Sequence, residues 1–395
     1  MSVRWCRPRK APDPALSAPV PVTFLVDQLA SGGAERHAIQ LANALDRSRF
    51  RVSLVALKPD ATLKSLVNEQ ALESFWCAGV ASKLDLAAVS RISAHLDRTG
   101  ARVVVAANQY PTLYATLARR RTASPARIIG TYHTTLLQSW KERLQMLLYS
   151  GFVFPNCDVL VYVSENQRRY WRRRGLRARS DTVIHNGVDA AHFSAGLAAA
   201  RAAVIRRELG PSAAELVVGI CAALRPEKAH ADLLAACAQA VAAGANLHCL
   251  IIGDGPERAA IVAAADSLGI GGRVTITGFQ ADVRPYIDAC DVMVLASYTE
   301  TFSLAALESM AMGKPVIMTH VGGADEQVTD GDDGRLFAAR ATDELARHIL
   351  AMRDTALRQS MGTRAREKVV CRFAFSDMVE TYSRLLETQA ALGVG

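Results

Sequence analysis

From Val22 onward the chain alternates short β-branched runs with stretches whose apolar residues recur at helical spacing. The runs are VTFLVD at 22–27, FRVSLVAL at 50–57, RVVVAAN at 102–108, ARIIGTYH at 126–133 and DVLVYVS at 158–164, with a weaker one at 74–77 and TVIHN at 182–186. AERHAIQLANAL separates the first two as an amphipathic helix, and another helix follows the second. Residues 189–214, rich in Ala and Arg, interrupt the alternation and read as a linker with one helix. It restarts with LVVGICA at 216–222, LHCLIIG at 247–253, RVTITG at 273–278, DVMVLAS at 291–297 and KPVIMT at 314–319, and closes on helices near 342–353, 357–370 and 376–388. Strand–helix alternation of this kind builds doubly wound parallel sheets. The expected architecture is α/β, with two facing Rossmann-like domains and a cleft between them. Its expected divisions are a tail at 1–21, domains at 22–190 and 191–372, and a last helix within 373–395 that packs back on the first domain.

Composition alters this picture in one respect. The chain has 395 residues, half of them hydrophobic, enough for two or three domains with full cores. Its net charge of +8 conceals an asymmetry: residues 1–190 carry 27 Lys+Arg against 14 Asp+Glu, and the remainder 19 against 24. A basic first half predicts an anionic partner there, whether a membrane surface, a charged acceptor or nucleic acid. The eight cysteines form no C-x-x-C pair and mostly lie in apolar runs, as core residues of a reducing compartment do. Residues 1–21 hold five Pro and several Arg without a signal peptide's apolar core, and read as a disordered tail. The apolar window at 144–163 is broken by Pro155, Asn156 and Asp158, which favours helix, turn and strand over a membrane span. The expectation is a cytoplasmic protein, open to peripheral attachment at the inner membrane face.

The chemistry concentrates in YTETFSLAALESMAMGKPVIM at 298–318. Ser303 is placed to cap a helix that Gly313 ends, and the amides around Phe302, Ser303 and Leu304 converge with the helix dipole on a phosphate-sized spot. Glu308 lies one turn into the helix, while Glu300 and Thr301 occupy the loop before it. Other strand ends carry lesser signals: Gly32 and Gly33 before a helix, Arg225 and Lys228 in LRPEKAH, suited to a diphosphate, Gly253 and Gly255 in GDGPE, Gly278 and Phe279 in TGFQ, and His133. The run from Arg168 to Arg179 joins seven Arg to Tyr170 and Trp171, and reads equally as a solvated face or as a contact for a membrane or anionic acceptor. Arg119 to Arg121, Lys141 and Arg143 would widen it. Nucleic acid is set aside because the aromatics lack the spacing of a stacking platform.

Taken in order, these motifs resemble those of the family 4 retaining glycosyltransferases, which have the GT-B fold. The set comprises GGAE at 32–35, His133, VSENQ at 163–167, HNGVD at 185–189, RPEK at 225–228, GDGP, TGF, the two Glu around TFSLAAL, and VGGADEQV at 321–328. The likeness implies a hexosyltransferase-type enzyme using a nucleotide-sugar, either UDP- or GDP-linked, as co-substrate, with no other cofactor and no metal. It implies a carbohydrate or lipid-linked saccharide acceptor in cell-envelope polysaccharide or glycolipid assembly. By the same likeness, Arg225, Lys228, Gly33 and the start of the helix at Phe302, Ser303 and Leu304 contact the donor phosphates, Glu308 the ribose, and Glu300 the transferred sugar, with Thr301 also in the donor site and His133, Glu300, Arg225 and Lys228 as the catalytic set. Gly253 belongs to the donor site, Gly278 and Phe279 flank the base, and His133 sits near the reacting sugar. Two positions depart from the pattern: Ala223 stands where many relatives carry Arg, so that Arg225 substitutes, and Ser303 stands for a common Gly. A sugar-nucleotide epimerase or phosphorylase of the same fold, and a non-catalytic membrane adaptor, remain as alternatives.

Overall fold

A computed structural model describes residues 18–29, 33–59, 62–123, 126–133, 146–147, 149–210 and 215–393, in which the β-branched runs form two parallel sheets. The chain divides into one unit running to His185 and resuming at Ser376, and a second from Asn186 to Phe375.

In the first unit the strands are β1 (Val20–Val26), β2 (Phe50–Ala56), β3 (Ser74–Cys77), β4 (Val103–Ala107), β5 (Arg127–Tyr132), β6 (Val159–Tyr162) and β7 (Ser180–Val183), ordered β3-β2-β1-β4-β5-β6-β7. Phe24, Leu25 and Val26 are all buried, as are Val103, Val104 and Val105, so both faces are covered and the runs read as continuous rather than alternating. The helices are α1 (Gly33–Ala44), α2 (Leu86–Thr99), α3 (Gln109–Arg119) and α4 (Glu165–Arg173). Asp85 caps α2 by accepting the Ala88 N–H, and Gly100 ends it at φ 61°. Helix α3 is not announced by its periodicity, because Thr112 and Thr116 interrupt its apolar face. Both hydroxyls turn back to donate to carbonyls one turn earlier, at 2.6 and 2.8 Å, which lets them be buried.

Three boundaries differ from expectation. The first strand begins at Val20, inside the stretch read as tail, and Pro21 is tolerated near its start, where its carbonyl still accepts from Arg102. β7 ends at Val183, earlier than the expected TVIHN strand. Asn186 to Ala190 go with the second unit: the Asn186 side chain donates to Phe302 O, and Val188 N–H donates to Phe373 O. The C-terminal helix, Phe375–Leu392, is held to the first unit by Arg49, which donates to Glu380 and Glu387 at 2.7 and 2.9 Å, and by buried Tyr382 and Leu386.

In the second unit the strands are β8 (Leu216–Cys221), β9 (Leu247–Ile252), β10 (Val274–Ile276), β11 (Val292–Leu295), β12 (Val316–Thr319) and β13 (Gly334–Phe337), ordered β10-β9-β8-β11-β12-β13. Edge strand β13 was missed. It is short, follows an Asp-rich turn, and depends on Gly334, whose Cβ would press on the Val316 carbonyl of β12. The helices are α5 (Ala199–Glu208), α6 (His230–Ala242), α7 (Arg258–Ser267), α8 (Arg284–Ala289), α9 (Leu304–Ala311), α10 (Ala324–Gln327), α11 (Thr342–Ala351) and α12 (Thr355–Arg372). In each sheet the chain order reverses at one point, between β1 and β4 and between β8 and β11. The strand ends flanking such a point are where open α/β sheets take ligands. Among the described residues no helix is long and apolar enough to cross a membrane.

Candidate active site

At the reversal point of the second sheet, the loops after β8 and β11 meet. Tyr298 N–H donates to Glu227 O at 2.8 Å, and Tyr298 Oη donates to Asp232 Oδ1 at 3.1 Å. This contact sets Lys228 beside Glu300, with Lys228 Nζ donating to Glu300 Oε2 at 2.8 Å. The other oxygen, Glu300 Oε1, accepts the Thr301 N–H at 3.3 Å. Lys228 closes a single turn of 3₁₀-helix, Pro226–Lys228, after which Ala229 adopts a left-handed backbone (φ 51°) and starts α6. Arg225 precedes that turn and is exposed.

Ser303 caps α9 as its sequence predicts: its Oγ accepts the Ala306 N–H at 3.3 Å, and Gly313 follows the helix at φ 69°. The expected trio of phosphate-facing amides is corrected in one member. The Ser303 N–H is already held by Gln327 Oε1 at 2.8 Å, and Ser303 is buried. A helix start leaves four N–H groups without intrahelical partners. Here Ser303 and Ala306 are engaged, and among the described residues those of Leu304 and Ala305 have no acceptor. Phe302 is buried, its ring 5.4 Å from that of Phe373, and Glu308 is half-buried on the second turn of α9.

The glycines are explained by backbone crowding. A Cβ on Gly253 (φ 149°) would overlap the Ala222 carbonyl, and one on Gly255 would press on the backbone of Leu224. The GDGP turn thus buttresses the loop that carries Arg225 and Lys228. Gly278 (φ 75°) bridges to Gly253, and Phe279 beside it is 76 % exposed. Sequence reasoning missed Gly322 (φ 60°), whose Cβ would collide with the Glu300 carbonyl, and its neighbour Gly323, whose N–H donates to Thr301 O at 3.0 Å. Both lie in VGGADEQV, a motif visible in the sequence without any sign of what it touches.

Two expected site residues, Gly33 and His133, belong to the first unit. Gly33 opens α1 and is exposed, whereas Gly32 lies outside the described residues. His133 follows β5 at the sheet's reversal side, and its N–H donates to Asn108 Oδ1 at 3.2 Å. Its ring lies 4.9 Å from that of His37, another residue the sequence did not flag, and His37 Nε2 is 3.3 Å from Met378 Sδ on the C-terminal helix. Burial lowers the His37 pKa to about 4. Burial, reinforced by His37, holds that of His133 well below the usual imidazole range, so both rings are neutral near pH 7.

The basic run is only partly a surface. Trp171 is buried against Tyr132, at 5.2 Å between rings, because α4 turns that side inward. Arg168 and Arg172 pair with Asp181 at 2.6 and 2.9 Å, and Arg179 pairs with buried Asp158 at 3.1 Å. Arg169, Arg173, Arg174 and Arg177 are exposed, with Arg174 stacked over Tyr170. Lys141 and Arg143 lie outside the described residues.

Two Rossmann-like units with parallel sheets, one bearing a Lys–Glu ion pair beside a helix start, have the architecture of the GT-B glycosyltransferases. The model of the glycosyl transferases group 1 matches residues 203–368 and that of glycosyltransferase family 4 matches residues 31–192; the chain belongs to this family. It is similar to the N-acetyl-alpha-D-glucosaminyl L-malate synthase of Bacillus anthracis, 27% identical over 304 residues that cover 76% of this chain and 78% of the relative. It is also similar to a lipopolysaccharide core biosynthesis glycosyltransferase, LpsE, of Rhizobium meliloti, 33% identical over 38% of this chain and 45% of the relative. Among solved structures, Anabaena HepE in complex with UDP superposes with a TM-score of 0.80 at 23% identity, covering 93% of this chain and all of HepE.

Proposed function

We propose that this enzyme moves a sugar, with retention of configuration and without metal, from a UDP- or GDP-sugar to a carbohydrate or lipid-linked saccharide acceptor in cell-envelope polysaccharide or glycolipid assembly. The observation that carries the reading is the Lys228–Glu300 pair beside the open amides of α9. A cation, a helix dipole and free N–H groups at one point suit a diphosphate, and the adjacent carboxylate suits sugar hydroxyls. That HepE was crystallised with UDP and with UDP-glucose, and that LpsE acts in lipopolysaccharide core biosynthesis, supports the donor and the setting respectively.

In this reading Arg225, Lys228 and the Leu304 and Ala305 amides hold the diphosphate, Glu308 the ribose hydroxyls, and Glu300 with Thr301 the transferred sugar. Gly278 and exposed Phe279 flank the base. From the first unit, Gly33 is assigned to the donor phosphates and acceptor, and neutral His133 to the reacting sugar. The bond from the anomeric carbon to the phosphate oxygen breaks with its electron pair passing to the phosphate. The acceptor oxygen bonds to that carbon from the same face, and its proton passes to the departing phosphate. The developing negative charge is met by Arg225, Lys228 and the helix start, which is why no divalent ion is required. Glu300, already engaged by Lys228 and the Thr301 amide, acts as a ligand and not as a nucleophile.

A thermal-shift screen against UDP, GDP, ADP and their common sugars tests the donor. One nucleotide family should stabilise the protein, transfer should persist in EDTA, and Glu300→Ala should abolish donor consumption. Stabilisation by none of them, or a glycosyl adduct trapped on Glu300, would refute the reading.

A further inference from the structure

Gln327 is assigned no contact of its own with the donor, yet it is completely buried and devotes both ends of its amide to one residue. Its Oε1 accepts the Ser303 N–H and its Nε2 donates to the Ser303 carbonyl, each at 2.8 Å. An apolar side chain would fill the same space. A planar amide paired with both backbone groups fixes orientation as well, because hydrogen bonds weaken steeply as their angle opens. The residue so gripped is the cap of α9, and the next two amides, Leu304 and Ala305, are the ones left open at the helix start. Neighbouring contacts hold the same loop on its other sides. Asn186 Nδ2 donates to Phe302 O at 3.0 Å, and Gly323 N–H donates to Thr301 O at 3.0 Å.

We infer that Gln327 is a positioning residue for the donor: it removes the Ser303 amide from the phosphate site and turns the Leu304 and Ala305 N–H groups together toward the phosphate. The inference deepens the reading above and rests on it. Glutamate at 327 would still accept from Ser303 N–H, but its second oxygen would face the Ser303 carbonyl and place a negative charge behind the phosphate site. Methionine would keep the volume and lose both hydrogen bonds.

The test is calorimetric titration of the full chain and of its Gln327→Glu and Gln327→Met variants with UDP and uridine, and with GDP and guanosine. The nucleoside reports the base and ribose contacts, and the diphosphate adds the phosphate contacts. Both variants should weaken the diphosphate about tenfold or more, the scale of one or two charge-assisted hydrogen bonds, while the nucleoside changes less than about twofold. An unchanged ratio of diphosphate to nucleoside affinity, with only thermal stability lost, overturns the inference. Failure of the unaltered chain to bind any diphosphate overturns the donor reading itself, and the inference with it. Should neither variant fold, residue-resolved amide exchange of the unaltered chain decides. UDP or GDP should add protection at Leu304 and Ala305, with Ser303 already protected beforehand, and new protection at Ser303 instead would overturn the inference.

Discussion

Lys228 and Glu300, 72 residues apart in sequence, form an ion pair at 2.8 Å where the loops after β8 and β11 converge. Their side chains are 26% and 17% exposed, so the pair is largely shielded from water, and removing one partner leaves the other charge without its counterion. Its importance is expected in the rate. Lys228→Ala should lower kcat/KM on the donor identified by the nucleotide screen by roughly 10²-fold, the scale of losing one preorganised group at the developing charge. The melting temperature should also fall, but by much less in free energy than the rate. Initial rates and thermal unfolding of the same preparation check this, and equal losses in both would assign Lys228 a structural role only.

Gly322→Ala should damage the same loop from behind. The new Cβ would overlap the Glu300 carbonyl, and Gly322 holds a left-handed backbone at φ 60°. The variant is expected to lose about 1–3 kcal/mol of stability. Because the strain falls on Glu300 itself, donor affinity should fall further than in Gly334→Ala. That control strains the β12–β13 edge and should cost stability without a selective loss of donor binding. Chemical unfolding paired with nucleotide titration separates the two.

Much of the second unit was legible because local signals agreed. Ser303 before LAALESMA, with Gly313 after it, announces both ends of α9, and the β-branched runs mark five of its six strands. What escaped depends on pairs distant in the chain. Nothing in ADEQV announces that Gln327 will grip a peptide 24 residues earlier, since both gain their meaning from shared burial. His37 reads as an ordinary position of an amphipathic helix until β5 and the C-terminal helix bring His133 and Met378 against it. Trp171 read as a surface aromatic because arginines flank it, whereas the helical period puts it on the opposite side from Arg169 and Arg173. From the sequence the Ser303 amide counts among the open ones, because the sequence shows which N–H groups a helix start leaves without an intrahelical partner, not which a buried side chain later takes.

Burial of neutral histidines makes acid a destabilising condition. His37, His95, His230 and His248 all have pKa values lowered to about 4 by burial, against about 6.5 in the unfolded chain. Between these values the unfolded chain binds more protons, so stability rises with pH and is lost as pH falls from about 6.5 toward 4. Each such histidine contributes a slope of up to about 1.4 kcal/mol per pH unit in that window. Urea unfolding should therefore show lower stability at pH 5 than at pH 7.5. His37→Leu should make that dependence shallower, and an unchanged slope would mean that His37 titrates alike in the folded and unfolded chain.

The basic face of α4 carries the last expectation. Arg168 and Arg172 share Asp181, and Arg179 shares Asp158 with Arg119 and Arg127, whereas Arg169, Arg173, Arg174 and Arg177 are exposed and form no ion pair with a carboxylate among the described residues, so these four should dominate any membrane attraction of this face. Each basic residue near an anionic surface adds roughly 1 kcal/mol of attraction, screened by salt. The unaltered chain should sediment with vesicles containing phosphatidylserine at low ionic strength and be released as salt rises. Replacing the four exposed arginines together by glutamate should abolish that binding. Arg168→Gln should disturb it little, because its charge is already paired, although the variant should lose some stability where Asp181 is left with Arg172 alone. Vesicle binding that survived the fourfold change would move the membrane contact elsewhere, and binding to neutral phosphatidylcholine alone would argue for apolar insertion over charge.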